Sequence, residues 1–221
     1  MTRLVIFDVD GTISDSQANI LHAMTMAYAS EGLPAPTREL VLSIVGLSLP
    51  EAVARIAPDQ SAQKQAAIVA AYKASYMDAR AAKPAPLYDG AEALLRKLAA
   101  RDDLLLGVAT GKSRRGLRAL LEHHNLENLF ITSQVADDHP SKPSPSMIFA
   151  ALQEAGVDAG HAVMIGDTSF DMEMAASANV ARIGVSWGYH PVADLIAAGA
   201  GRIVDDFAAL DRAIDEVLEI K

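Results

Sequence analysis

Leu4-Val5-Ile6-Phe7-Asp8-Val9-Asp10-Gly11-Thr12 is a short apolar run that stops at two carboxylates one residue apart, followed by a glycine turn. Four consecutive apolar residues suit a strand buried on both faces of a parallel sheet, since helices then cover each side. An ionised carboxylate is costly to bury without a positive partner, so two acids at the strand's carboxyl end call for a cation. That end is also where open α/β sheets place their ligands. An Asp-rich surface turn is the alternative that this stretch alone leaves open.

Further strand-like runs lie at Leu104 to Ala109, Phe130 to Thr132, Ala162 to Ile165 and Ala181 to Val185. Helical stripes at Leu94, Leu95 and Leu98, at Leu117, Leu120, Leu121 and His124, and at Phe207, Leu210, Ile214, Val217 and Leu218 are spaced between or after them. This alternation predicts an α/β fold, a Rossmann-like parallel sheet with helices on both faces. Pro143 and Pro145 precede the helix expected around Met147, Ile148 and Leu152, as proline does at helix starts.

No strand-like run appears from Ser14 to about Leu87, and a crossover needs only a dozen or so residues plus its helix. The interval carries helical stripes at Ile20, Met24, Ala27 and Tyr28, at Leu40, Ile44 and Leu47, and at Ile68, Tyr72 and Tyr76. Pro34-Ala35-Pro36 separates the first two, and Lys83-Pro84-Ala85-Pro86 leads back to the sheet. The expected organisation is a core of residues 1–15 and 85–221 with an inserted helical cap of residues 16–84.

The 221 residues, half of them hydrophobic, suffice for a sizeable core. A net charge of -9 argues against a nucleic-acid backbone or an anionic membrane surface as partner. The absence of cysteine excludes disulfides and thiol chemistry. The run after Met1-Thr2-Arg3 is too short for a signal peptide or a membrane span, which makes the cytoplasm the expected compartment.

Three more segments follow strands. Thr110-Gly111-Lys112 sets a hydroxyl and a glycine amide at a strand end, and Lys142 stands in the proline-stiffened loop His139-Pro140-Ser141-Lys142-Pro143-Ser144-Pro145. Ile165-Gly166-Asp167 repeats the apolar run ending in Gly and acid, with Asp171 four residues on; taken alone, Asp167 also reads as a helix cap.

In this order, the four segments resemble the motifs of the haloacid dehalogenase superfamily of phosphohydrolases along the whole chain. The resemblance implies that Asp8 is the nucleophile and Asp10 the general acid and base, with Thr110 and Gly111 binding phosphate and Lys142 neutralising it. It also implies magnesium on Asp8, Asp10 and Asp167, with Asp171 behind them orienting the lysine or a metal-bound water. Haloalkanoate dehalogenases lack the second acid of the first motif, so Asp10 points to a phosphatase. Mutase relatives carry a cap histidine where this chain has Ile20, with His22 out of register, and an arginine where Leu49 follows Gly46-Leu47-Ser48. Phosphonate hydrolases use a cap lysine; Lys64, Lys73 and Lys83 are present without a sign of burial. Receiver modules bear their acceptor acid after the third strand, whereas Asp137-Asp138 lies five residues beyond Phe130 to Thr132.

Within the superfamily, Leu87-Tyr88-Asp89-Gly90, Gly184 to Tyr189 and Ala198-Gly199-Ala200 resemble the phosphoglycolate phosphatase group, although Asn19 stands where many members carry an acid. The expectation is therefore hydrolysis of a small phosphorylated metabolite, such as phosphoglycolate, through an aspartyl-phosphate. Another small phosphoester, pyrophosphate, a mutase reaction, and a phosphoacceptor or binding-only pseudoenzyme are the alternatives. Gly46 to Leu49 is expected to read the leaving group and Trp187 and Tyr189 to form a packed rim; Lys112, Arg114 and Arg115 stand at a helix start, where exposed cations either draw in an anion or, more often, are simply solvated. Monomer and homodimer stay undecided.

Overall fold

The computed structural model describes residues 2–219; Met1, Ile220 and Lys221, at the outer ends of the two expected core segments, lie outside the described residues. Six parallel strands among them, β1 (Arg3–Phe7), β2 (Leu104–Thr110), β3 (Thr132–Val135), β4 (Ala162–Gly166), β5 (Ala181–Val185) and β6 (Arg202–Val204), form one sheet in the order β3-β2-β1-β4-β5-β6. β1 is central and fully covered, so its side chains alternate between two cores: Val5 and Phe7 face one, Leu4 and Ile6 the other. The first core is closed by α5 (Ala91–Ala99), α6 (Arg114–His123) and α10 (Phe207–Val217), the second by α7 (Ser146–Ala155) and α8 (Ser169–Ser177). A short α9 (Val192–Ala197) links β5 to β6.

Strand order reverses at β1, whose neighbours are β2 on one side and β4 on the other. The crevice at this switch point is where doubly wound sheets bind ligands. Between β1 and α5 the chain forms α1 (Gln17–Ser30), α2 (Arg38–Leu42), α3 (Leu49–Ile56) and α4 (Ala62–Ala82). These helices enclose an apolar cluster of their own, including Met24, Val53 and Ile68, which the core's Phe170 and Tyr189 join at its edge. The two connecting segments pair with each other: Asp15 N donates to Pro86 O at 2.9 Å and Tyr88 N to Ile13 O at 3.1 Å.

Several local expectations need correction. The third strand is the polar Thr132–Val135, not Phe130 to Thr132; it lies at the sheet edge, and Ile131 is 57% exposed. Asp137 therefore follows that strand by two residues, yet the sheet order, with β1 between β2 and β4, is the Rossmann order and not the 2-1-3-4-5 order of receiver modules. Leu40 is exposed, and α2 buries Val41 and Leu42 instead. The amphipathic α3, with Pro50 in its first turn, and the three-residue β6 add to the expected elements.

Candidate active site

Asp8 follows β1 directly, Thr110 ends β2, and Asp167 follows β4, so three neighbouring strand ends deliver the first, second and fourth segments to one point. Lys142 reaches it from the loop before α7 with its side chain wholly buried. Its ammonium donates to Asp8 Oδ1 at 2.7 Å and to Asp171 Oδ1 at 2.6 Å. Asp171 Oδ2 accepts from the Thr168 amide at 3.1 Å and hydroxyl at 2.7 Å, completing a capping box at the start of α8. The helix cap thus aims one carboxylate oxygen at the lysine.

Asp167 is held from both sides: Thr12 Oγ1 donates to its Oδ1 at 3.0 Å, and the Tyr189 amide to its Oδ2 at 2.8 Å. The chain passes so close that a Cβ on Gly11 would come within 2.2 Å of Asp167, and Gly11 also has φ +89°, so glycine is required twice over. Trp187 Nε1 donates to Thr12 O at 3.0 Å, and Tyr189 Oη accepts from Ser16 N at 3.1 Å.

The charges do not balance. Asp8, Asp167 and Asp171 are buried around one lysine, and oxygens from the three lie within 4.8 Å of one another. Burial pushes the Asp8 carboxyl up to about 7 against the pull of Lys142, with Asp171 and Asp10 adding to the rise. Asp167 is held well above the usual carboxylate range by burial, then by Asp8 and Asp171. Burial opposes the charge of Lys142, but Asp171 and Asp8 outweigh it and raise the ammonium's pKa. Asp8 Oδ2 is buried with no partner among the described residues. Hard oxygen donors, an orphaned carboxylate oxygen and a missing positive charge fit a divalent cation.

Asp10 is not among these three clustered acids. Its Oδ1 accepts from Ser16 Oγ and lies 2.8 Å from Lys112 Nζ, which in turn donates to Tyr76 Oη of α4 at 3.0 Å. Burial works to lower the Lys112 pKa, but Asp10 and Tyr76 outweigh it and raise it. Sequence reasoning alone misses Ser16, Thr12 and Tyr76 as site residues; Ser16 and Thr12 flank the first motif closely enough to be considered, whereas Tyr76 carries no local signal.

A cavity of about 430 Å³ separates the site from the helical insert, with Asp8, Asp10 and Thr110 on the sheet side and Ile20, Ile44, Leu47, Leu49, Tyr72 and Tyr76 opposite. The Gly46 to Leu49 loop is docked on the core: Ser48 N donates to Ser141 Oγ at 2.9 Å, beside Lys142. Lys73 and Arg115 line the mouth and are exposed, while Arg114 is engaged with Asp137 and Asp138. His22 and Lys83 are exposed, Lys64 pairs with Glu31, and half-buried Asn19 donates to Lys83 O at 3.1 Å.

The haloacid dehalogenase-like hydrolase family matches residues 5–185, and the chain belongs to it. Over its full length, and 96% of the relative's, it is 34% identical to "Probable phosphatase IndB" of Dickeya dadantii. It is 35% identical to "Phosphoglycolate phosphatase" of Rhodospirillum rubrum, covering 95% of this chain and 90% of that one. Among solved structures, a predicted phosphatase from Clostridium acetobutylicum superposes with TM-score 0.87 at 27% identity, covering 98% and 99% of the two chains.

Proposed function

We propose that this hydrolase is a magnesium-dependent phosphatase that transfers the phosphoryl group of a small phosphomonoester to Asp8 and then to water. The observation that carries the reading is the pairing at Asp8: Oδ1 is fixed by Lys142 at 2.7 Å, while Oδ2 is buried and unpartnered. Asp8 and Asp167, with Asp10 beside them, would hold the cation. Bound there, the cation supplies positive charge to the oxygens of the transferring group.

In this mechanism an Asp8 oxygen bonds to phosphorus as the ester oxygen leaves, giving a phosphoaspartate. Asp10 gives its proton to the departing alkoxide and then takes one from the water that attacks the phosphoaspartate. Its Oδ2 accepts from none of the described residues and is the oxygen available for both transfers. Lys142 and the Thr110 hydroxyl steady the phosphoryl oxygens, so that catalysis is mainly positioning and electrostatics. Asp171 stays behind Lys142 and holds it.

Residues 16–84 act in this reading as a cap over a core of 1–15 and 85–221, excluding water from the site. The phosphatase names of the two relatives support the activity, and the R. rubrum name makes phosphoglycolate the first substrate to try. No helix among the described residues is long and apolar enough to cross a membrane, and a small cytoplasmic metabolite is the partner we infer. A phosphate-release screen over small phosphoesters, with magnesium and with chelator, tests the proposal. Release that requires magnesium supports it; full activity of metal-stripped protein in chelator overturns it.

A further inference from the structure

Lys112 is one of four cations that line the cavity among the described residues, with Lys73, Arg80 and Arg115. Its side chain is 6% exposed, whereas Lys73 and Arg115 at the mouth are exposed and Lys142 is enclosed beneath Asp8. An ammonium has three donors. Among the described residues Lys112 uses two, on Asp10 Oδ1 at 2.8 Å and on Tyr76 Oη at 3.0 Å, which leaves one on a side chain that lines the cavity. Tyr72, one helical turn before Tyr76 and stacked on it at 5.7 Å, also lines the cavity, and its hydroxyl bonds to none of the described residues. Burial, Tyr76 and Asp10 each disfavour ionisation of that hydroxyl, so it stays a donor.

A buried ammonium with a vacant donor, next to a second vacant donor, is matched by an anionic acceptor rather than by an apolar group. Asp10 bears on where that acceptor lies. Asp10 Oδ2 is the oxygen free to meet the ester oxygen, while Oδ1 of the same carboxylate touches Lys112. A group held by Lys112 is therefore only a few bonds from the ester oxygen.

We propose that Lys112, with Tyr72 and Tyr76, is the specificity-determining element of the site and binds a carboxylate carried by the leaving group close to the ester oxygen. This rests on the phosphatase reading and adds residues to it. The expected gain from one charge-assisted hydrogen bond is about 10- to 100-fold in affinity.

The test uses two matched pairs: 2-phosphoglycolate against ethyl phosphate for turnover, and phosphonoacetate against ethylphosphonate for calorimetric binding, all with magnesium. The wild type should favour the carboxylate-bearing member of each pair at least tenfold, and Lys112→Met should collapse both ratios. Tyr72→Phe, which keeps the ring and the packing, should lower them a few-fold. Equal binding of the two phosphonates by the wild type would overturn the inference while leaving the phosphatase reading intact. So would ratios preserved in Lys112→Met, since the lysine would then act on Asp10 alone. Absence of phosphate release from every ester would overturn the phosphatase reading, and the binding ratio would still decide whether the carboxylate site exists.

Discussion

Replacing Gly111 by alanine probes how the helices between β1 and α5 meet the sheet. A Cβ at that position would lie 2.5 Å from the Gly46 carbonyl oxygen and 2.6 Å from that of Leu47. Real Cβ atoms essentially never come under 3.0 Å, so several tenths of an ångström must be found. Both obstacles are backbone and cannot rotate away, and Gly111 itself has no left-handed φ to strain. The loop from Gly46 to Ser48 must therefore lift off Gly111, with the Ser48–Ser141 bond of 2.9 Å at stake. Overpacking of this kind costs about 1–3 kcal/mol. Because the insert can move away without unfolding, the cost should fall on the docked arrangement more than on global stability. At about 1.4 kcal/mol per factor of ten, kcat/KM should fall about 5- to 150-fold, with a melting temperature within about 2 °C of wild type. Phosphate-release kinetics and thermal melts read both. A variant with kcat/KM within twofold of wild type would refute the argument that the loop must seat on Gly111 for turnover.

Lys142→Met should cost about 3–5 kcal/mol in urea unfolding, because it leaves Asp8 and Asp171 buried without their shared cation; a loss under 1 kcal/mol would contradict the pairing. The raised pKa of Asp8 also has a sign. Its folded value of about 7 lies above the unfolded carboxylate's, so its contribution to stability is full below about pH 4 and is lost as pH rises through about 7. Metal-free wild type should therefore lose melting temperature from about pH 4 to 7 relative to Asp8→Asn, and magnesium should restore it; parallel pH curves for the two proteins would count against this. Substituting Leu47 or Leu49, which line the cavity, should reorder a substrate panel while magnesium dependence persists; equal loss on every substrate would give the loop a purely structural part.

Three of the four candidate-site segments stood out in the sequence because each lies at the end of a buried strand. Val5 to Phe7 and Val163 to Ile165 are continuous apolar runs that helices cover on both faces, and the acids just beyond them, Asp8 and Asp167, fall at the switch point. Edge elements obey weaker rules. β3, at the sheet edge, buries polar residues, with Gln134 Nε2 donating to Thr132 Oγ1 at 2.7 Å, so the apolar pair Phe130-Ile131 drew the expected strand away from it, and β6 is too short to show a pattern. Tyr72 and Tyr76 read as one stripe with Ile68, but only Ile68 is fully buried in the insert while the two tyrosines line the cavity. A helical period places residues on one face and does not say whether that face meets side chains or empty space. Lys112 looked like an exposed helix-start cation. Its burial depends on Tyr76, brought in from the far end of the insert, and no local pattern encodes that contact.

The most direct test of the central claim is to look for the phosphoryl group on Asp8. Asp10→Asn keeps the attacking carboxylate and lacks the base for the second step, so the phosphoaspartate should accumulate in it. That variant, mixed with magnesium and the best substrate from the screen, quenched in acid and digested, should carry one phosphoryl group on the peptide containing Asp8, reducible by borohydride at that residue. Asp8→Asn should carry none. Phosphate release by the wild type with no label on Asp8 in either protein, or with the label on another residue, would contradict the account.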